Sequence, residues 1–292
     1  MSIVLNNTKS LAFGFLGILG FSLTLPATRL AVVDLDPTFV GLGRGIVAAG
    51  FAAVGLIIAR SSFPNRRQWF RLAATAMGVV IGFPLLSAMA METVPASHGA
   101  VIVGLTPLTT ALFGVWLARE RPSPLYWAAT IIGSAVITTF ALVTGAGSLQ
   151  IADMLLLGAI VSVGFGYAEG ARLSKELGAW QTISWALLVS VPALLYPVIL
   201  TAPTNLDAVS GMSLLGFGYV SVVSMYLAFF AWYKGLAMGG IARIGQLQLL
   251  QPFITMIAAS QILHEVLQIS QIIVAIFVLG CVIVARRSLS TL

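Results

Sequence analysis

The sequence predicts an all-α membrane protein of ten transmembrane helices, arranged as two inverted repeats of five helices each. Three observations lead to this prediction: the scarcity of charged residues, the regular recurrence of long apolar segments, and a repeated motif in two of those segments. Of the 292 residues, 59% are hydrophobic and only 8% are charged. A soluble domain carries about 25% charged residues, so this chain has too few to cover a water-exposed surface.

Ten apolar segments are each long enough to cross a hydrocarbon core of about 30 Å as a helix. Short stretches that contain charged residues, proline or glycine separate them. The first segment resembles a signal peptide, but it continues past Pro26 without a small-residue cleavage site, so we interpret it as a retained helix. The predicted spans are 11–33, 38–59, 68–91, 97–118, 124–144, 152–172, 179–201, 209–236, 241–263 and 267–285.

The basic residues predict the orientation of these spans. When the N-terminus is placed in the cytoplasm, 13 of the 15 lysines and arginines fall at the cytoplasmic ends of the spans. The other two, Arg29 and Arg44, lie inside spans one and two. The bias predicts a multi-pass protein of the cell (inner or plasma) membrane with both termini cytoplasmic. The net charge of +6 is therefore attributed to topology, and no nucleic-acid partner is predicted.

A repeat relates span four to span nine. Pro107 and Pro252, Thr110 and Thr255, and Glu120 and Glu265 are each separated by 145 positions. We therefore predict a first repeat over residues 1–147 and a second over 148–292. Because five is odd, the second repeat enters the membrane from the opposite side, and inverted repeats are typical of secondary transporters. Duplication for packing alone is the alternative.

Proline lies near the middle of both related spans. Pro107 and Pro252 each free the backbone carbonyl four residues earlier, which in a membrane must find another partner. The functional interpretation is a hinge beside a polar cavity. The alternative is a structural kink whose carbonyl is satisfied by a neighbouring helix.

Polar side chains surround the two prolines. Gln248, Gln251 and Thr255 share one face of a helix, and Thr106 and Thr110 are the counterparts of Gln251 and Thr255. Amides and hydroxyls at this depth suit a zwitterionic or amide-bearing ligand, so these five residues are candidates for substrate binding. Hydrogen bonds between helices are the competing explanation.

Two ionisable residues within the predicted spans, Arg44 and Glu169, are candidates for a functional role. Arg44, between Gly43 and Gly45, is a candidate for binding a substrate carboxylate, or else it binds backbone carbonyls and locks helices together. Glu169 is taken as the only acidic residue inside a span. It is either paired locally with Arg172 or a candidate for proton coupling.

Three further residues are candidates for the transport pathway. His98 begins span four on the outer side and is either a gate or a structural boundary residue. Tyr226 and Trp185 lie too deep for an interfacial aromatic belt, and their rings could stack on a flat substrate in a central cavity.

Enzymatic motifs do not emerge from the sequence. It contains no phosphate-binding loop and no G-x-S-x-G turn, and His264-Glu265 lacks the second histidine of a zinc-binding HExxH helix. We predict no enzymatic activity, cofactor or metal site, and a monomer whose partners are the lipid bilayer and a small solute. A membrane-embedded enzyme acting on lipid-linked substrates and the permease subunit of a larger complex are the alternatives.

The repeated motif resembles that of the drug/metabolite transporter superfamily, in its EamA branch. In each half a proline of the fourth helix is followed by an L-x-x-E-like motif, and Arg44 matches an arginine common in that family's second helix. The matching residues are Pro107 with Leu117-Ala-Arg119-Glu120, and Pro252 with Ile262-Leu-His264-Glu265. Arg119 and His264 stand where the family usually has glycine.

A narrower resemblance concerns span six. Tyr167-Ala-Glu169-Gly170, with Leu173-Ser174 and Trp185, is similar to YddG-type exporters of aromatic amino acids. This resemblance implies export of small metabolites, with aromatic or other neutral amino acids first, by alternating access through a central cavity.

Overall fold

The computed structural model describes residues 2–118, 124–144 and 150–287. Within these ranges the regular structure is entirely helical and forms ten spans, which we number α1 to α10. The first five are α1 (Ser2–Ser22 and Thr24–Ala31), α2 (Pro37–Ile58), α3 (Arg66–Met91), α4 (Ala96–Val103 and Thr106–Ala118) and α5 (Pro124–Thr144). The second five are α6 (Ile151–Leu177), α7 (Ala179–Thr201), α8 (Gly211–Gly239), α9 (Ile241–Ile244, Gly245–Leu250 and Gln251–Leu263) and α10 (Ile269–Arg287).

The prediction of an all-helical, ten-span architecture is confirmed. In the described part of the chain, seven helices are long and apolar enough to cross a membrane. Three shorter apolar helices, Trp127–Phe140, Leu247–Leu263 and Ile269–Cys281, correspond to spans five, nine and ten. Large apolar side chains such as Ile57, Ile58 and Phe70 are more than 70% exposed, as expected for a surface that faces lipid.

The helices that carry the repeated prolines are interrupted just before them. In α4 the helix breaks at Gly104–Leu105, and Thr106 Oγ1 donates a hydrogen bond of 2.6 Å to the carbonyl of Val103, which Pro107 leaves free. In α9 the backbone tightens into a 3₁₀ segment, Gly245–Leu250, and the Gln251 N–H donates to the carbonyl of Gln248. Each freed carbonyl is therefore satisfied within its own span, and a neighbouring helix is not needed.

Two π-helical segments occur at corresponding places in the repeats. Met77–Gly82 lies in α3, and the same offset of 145 positions carries it onto 222–227, within the π-helical segment Tyr219–Leu227 of α8. π-Helical turns leave the regular hydrogen-bond ladder and occur frequently at functional sites. Both irregular segments border one cavity, which Val79 of the first and Ser224 of the second line.

Glycine permits close helix contacts between the halves. A Cβ atom at Gly17 of α1 would lie 2.9 Å from the Cα of Trp232 in α8, and one at Gly78 of α3 would lie 2.6 Å from the carbonyl oxygen of Ser162 in α6. Such distances exclude any larger side chain unless the helices move apart. The helices of the two halves are therefore packed backbone to backbone around the centre of the bundle.

Candidate functional site

A small cavity lies at the centre of the bundle, between the two halves of the chain. Its lining residues come equally from the first half and the second, through α1, α2, α3, α6, α8 and α9. They are Phe21, Thr24, Arg44, Val79, Phe83, Pro84, Val163, Tyr167, Ser224, Met225, Phe229 and Gln251. Thr106 and Thr110 of α4, which the sequence suggested for substrate binding, are not among them, whereas Arg44 of α2 is.

The cavity is narrow in this conformation. The empty space between its lining atoms amounts to about 330 Å³, but the centres of water molecules can occupy only about 20 Å³ of it. That is room for about one water molecule. A solute larger than a few atoms therefore requires the lining helices to separate, so the structure shows the site in a closed conformation.

Arg44 is the only residue with a full charge among the described residues that line the cavity. Its side chain is 1% exposed, and its Nε donates to the carbonyl oxygen of Gly41 over 3.3 Å. Its Nη2 is buried without a hydrogen-bond partner, and no described acidic side chain forms an ion pair with it. A buried cation without a counter-ion costs several kcal/mol, on the order of 3–5 kcal/mol. The arrangement is suited to receiving an anionic group.

The flanking glycines explain how Arg44 is held there. A Cβ atom at Gly45 would lie 2.8 Å from Leu194 Cδ1 of α7 and 3.1 Å from Val80 Cγ1 of α3. The absence of a side chain lets α2 pack closely against both helices, so the guanidinium group is enclosed rather than extended to an interface. The backbone carbonyl contact that the sequence suggested is present, but it uses only Nε.

The remaining polar groups of the cavity come from both halves. Thr24 Oγ1 of α1 and Ser224 Oγ of α8 are hydrogen-bonded over 2.7 Å. Gln251, at the start of the last segment of α9, adds an amide that is 8% exposed. These groups can donate to or accept from a bound solute, and the Thr24–Ser224 bond joins the halves at the cavity wall.

Three aromatic rings form one wall of the cavity. The ring centroids of Phe21 and Phe229 are 4.9 Å apart in an edge-to-face arrangement, and Tyr167 lies 5.9 Å from Phe21 and 6.0 Å from Phe229. Such a cluster offers faces and edges for packing a planar or apolar group. The cavity thus combines a cation, a few neutral polar groups and an aromatic wall.

Most of the polar residues predicted around the prolines do not line the cavity. Thr110 Oγ1 donates to the carbonyl of Thr106 over 2.9 Å, and Thr255 Oγ1 donates to the carbonyl of Ser22 in α1 over 2.7 Å. Gln248 is 1% exposed, and neither polar atom of its side chain has a hydrogen-bond partner. Of the five candidates, the lining contains only Gln251.

The two predicted stacking residues also lie elsewhere. Tyr226 Oη is 3.2 Å from Ser184 Oγ, between α8 and α7. Trp185 packs against Phe63 and Trp69, with ring centroids 5.2 and 5.4 Å away, and lines a separate cleft between α2 and α7. The aromatic residues beside the central cavity are instead Phe21, Phe83, Tyr167 and Phe229.

Glu169 belongs to an ion-pair network that joins the two halves at one end of the bundle. It contacts Arg71 Nε of α3 and accepts from Arg172 Nη1 over 3.1 Å. Arg71 Nη1 also lies 2.5 Å from Glu176 Oε1. The pairing with Arg172 agrees with the local interpretation, whereas the contact with Arg71 crosses to the other half. This end is the one predicted to be cytoplasmic.

A second set of contacts joins the halves at the opposite end. His98 Nε2 of α4 lies 2.7 Å from Asp153 Oδ1 of α6, and both side chains are buried. Glu265, between α9 and α10, accepts hydrogen bonds from the backbone N–H groups of Ala96 (2.8 Å) and Ser97 (2.9 Å). The related Glu120 lies outside the described residues.

A second acidic residue, Asp153, lies within a predicted span, contrary to the prediction from the sequence. Because Asp153 lies within span six and is only 1% exposed, Glu169 is not the only acidic residue in a span. The sequence does contain an indication of this role, because an acidic residue three positions after Gln150 is typical of a helix N-terminus. The second carboxylate oxygen indeed accepts from the Gln150 N–H over 3.0 Å.

Asp34 forms a further contact between the halves, in the loop between α1 and α2. It accepts hydrogen bonds from Ser210 Oγ (2.5 Å), Ser210 N (3.0 Å) and Ser213 Oγ (2.8 Å) at the start of α8. These hydrogen bonds lower the pKa of the Asp34 carboxyl below its ordinary value. The carboxylate therefore remains charged and bonded throughout the neutral pH range.

Comparison with known proteins identifies the family. The sequence model of the EamA-like transporter family matches residues 8–142 and again residues 150–287. The chain belongs to the EamA-like transporter family. The resemblance drawn from the prolines and glutamates of spans four and nine is thereby confirmed at the level of the family.

Relatives of this EamA-like protein agree with that assignment. It is 48% identical over 274 residues to an uncharacterized transporter, YdeK, of Bacillus subtilis (strain 168), a match covering 94% of this chain and 96% of YdeK. It is 23% identical to the protein PecM of Dickeya dadantii (strain 3937), over 89% of this chain and 87% of PecM.

One solved crystal structure resembles this one with a TM-score of 0.68 at 16% sequence identity, covering 94% of this chain and 97% of that chain. This likeness supports the fold alone. The narrower resemblance to aromatic amino acid exporters stays a prediction.

Proposed function

We propose that this EamA-like transporter carries small carboxylate-bearing metabolites, with aromatic and neutral amino acids among the candidates, out of the cytoplasm by alternating access. The cavity between the halves serves as the substrate site. We further propose that the repeats extend over 1–147 and 148–292, that both termini lie on the cytoplasmic side of the cell membrane, and that the protein acts as a monomer.

The observation that carries this proposal is the unpaired guanidinium of Arg44. It is buried beside the cavity, and its Nη2 has no hydrogen-bond partner. A carboxylate can accept from a guanidinium with two parallel hydrogen bonds, which makes such pairs strong and directional. The aromatic wall of Phe21, Tyr167 and Phe229 lies along the same cavity and accounts for the apolar part of the solute.

Alternating access is supported by the contacts at the two ends of the bundle. Arg71 and Glu169 join the halves at one end, and Glu265 and Ala96 join them at the other. Because the cavity between them is closed, access from either side requires one of these sets of contacts to separate. The Thr24–Ser224 hydrogen bond lies between the two sets, at the level of the site.

Purified protein in proteoliposomes tests the proposal. We expect uptake of labelled phenylalanine, tryptophan or an aromatic carboxylate above that of protein-free vesicles, with and without a pH gradient to separate a coupled carrier from a facilitator. Arg44→Gln should lower uptake by at least about tenfold, because it removes the charged partner of the carboxylate.

Arg60→Gln is the matched control, since Arg60 is exposed just after the end of α2 and takes no part in the cavity. It should transport as the unaltered protein does. If no carboxylate-bearing solute moves under either condition, or if the two arginine variants behave alike, the proposal is wrong.

A further inference from the structure

The charges around the cavity are unbalanced. Within the part of the chain that the structure describes, the lining includes one cation, Arg44, and no acidic side chain. The nearest acidic residue along a lining helix is Glu169, two positions after Tyr167, and it is already paired with Arg71 and Arg172. A bound solute therefore meets one uncompensated positive charge in a site of low dielectric.

The net charge of the solute then decides how well the site is neutralised. A solute with a single negative charge brings the occupied cavity to zero net charge. A zwitterion leaves the charge of Arg44 uncompensated overall and adds an ammonium group without a carboxylate partner, whereas a dianion leaves a net negative charge. Because uncompensated charge is costly inside a membrane, these states differ in energy.

We propose that the site selects solutes that carry one net negative charge together with an aromatic or apolar body: aromatic monocarboxylates, in preference to zwitterionic amino acids and to dianions. The inference rests on the proposed function, since it assumes that the cavity is the substrate site, and it narrows the substrate class by charge. The guanidinium of Arg44 binds the carboxylate, and the rings of Phe21, Tyr167 and Phe229 pack against the apolar part.

The neutral polar groups of the cavity are compatible with this selection. Thr24 and Ser224 bond to each other over 2.7 Å, so one hydroxyl proton is used internally and the other can be donated to a carboxylate oxygen. The amide nitrogen of Gln251 is a further donor for the same group. The site thus offers a cation and neutral donors to a carboxylate, but no side-chain anion to an ammonium.

A matched series of solutes tests the inference. The solutes are 3-phenylpropanoate, phenylalanine and benzylmalonate, which share a benzyl group and differ only in the substituent beside the carboxylate: hydrogen, ammonium or a second carboxylate. Initial rates at limiting concentration are measured in proteoliposomes at slightly alkaline pH, and passive entry into protein-free vesicles is subtracted. We expect 3-phenylpropanoate to exceed both other solutes by at least about tenfold.

A second experiment tests the inference by changing the charge of the cavity. Gln251→Glu adds a carboxylate with almost no change of shape, so the empty site becomes neutral overall. The ratio of phenylalanine to 3-phenylpropanoate transport should then rise by about tenfold or more. Gln261→Glu adds the same charge at an exposed position of the same helix and should leave the ratio unchanged.

The possible results separate the two proposals. If phenylalanine is preferred by the unaltered protein while Arg44→Gln abolishes its transport, the charge rule is wrong and the proposed function stands. If Gln251→Glu leaves the ratio unchanged while the protein remains active, the charge rule is also wrong. If none of the three solutes moves, the carboxylate site itself is overturned.

Discussion

The carboxylate of Glu265 caps the helix that begins at Ala96, in the opposite half of the chain. One oxygen accepts from the Ala96 N–H and the other from the Ser97 N–H, over 2.8 and 2.9 Å. The first N–H groups of a helix have no partner within it, and a negative charge there is favoured by the helix dipole. The repeated glutamate of the sequence motif thus joins the two halves at one end of the bundle.

Glu265→Ala is expected to weaken this end of the bundle. Loss of a capping side chain costs about 0.5–2 kcal/mol, so the amides of Ala96 and Ser97 should exchange hydrogen roughly twofold to thirtyfold faster. Hydrogen–deuterium exchange followed by mass spectrometry measures this. Glu92→Ala removes an exposed glutamate before the same helix and serves as the control. Equal exchange in both variants would contradict the capping role.

The pair formed by His98 and Asp153 should contribute to the same closed end. Both side chains are buried, and their atoms approach to 2.7 Å. Removal of one partner leaves a buried polar group unsatisfied, at a cost of about 1–3 kcal/mol. We therefore expect His98→Ala and Asp153→Ala each to lower the thermal unfolding temperature in detergent. The double variant should be less unstable than the sum of the two, and strict additivity would show that the residues do not interact.

Arg71 and Glu169 should hold the opposite end closed. Arg71 is shared by Glu169 and Glu176, so its replacement by alanine separates α3 from α6 at that end. We expect Arg71→Ala to increase labelling of a cysteine introduced at Thr75, in a background where Cys281 is replaced by serine. Thr75 is fully buried in α3, one turn further along. Unchanged labelling would mean that this network does not close the bundle.

The close approach of α3 and α6 predicts a large effect of one methyl group. A Cβ at Gly78 would lie 2.6 Å from the carbonyl oxygen of Ser162 and 2.8 Å from the Cα of Gly166. Because backbone atoms cannot move aside as a flexible side chain can, Gly78→Ala should cost about 1–3 kcal/mol and displace Val79 at the cavity. Detergent stability and transport should both fall.

Gly50→Ala is the matched control for that substitution, because a Cβ at Gly50 of α2 meets no atom within 4 Å. Replacing glycine by alanine in the interior of a helix gains up to about 1 kcal/mol when no clash results. We expect this variant to be at least as stable as the unaltered protein. A similar loss in both variants would contradict the role assigned to the contact with α6.

The features that could be predicted from the sequence depend on local properties of the chain. Hydropathy located all ten spans, and the spacing of Pro107 from Glu120 and Pro252 from Glu265 located the repeat. Charge inside a span singled out Arg44, because a cation in a membrane is rare enough to be informative by itself. None of these predictions requires knowledge of which helices are neighbours in the fold.

The direction in which each polar side chain points could not be predicted from such local properties. Thr106, Thr110, Gln248 and Thr255 share the composition of a binding site, but their hydroxyls bond to backbone carbonyls and the amide of Gln248 lies outside the cavity. A mid-membrane threonine is equally suited to a solute or to a carbonyl, and the rotation of its helix decides between them. The 3₁₀ segment before Pro252 changes that rotation in α9.

The amino-acid sequence by itself determined the membrane-spanning class, the ten helices, the repeated architecture and the position of Arg44 within a span, since hydropathy, spacing and charge are properties of the chain alone. Only the tertiary structure decided that Phe21, Tyr167 and Phe229 form the aromatic wall, and that Glu265 caps the helix at Ala96. The reason is physical: which residues meet depends on helix rotation and on contacts between segments more than a hundred residues apart, and neither is encoded in any local pattern.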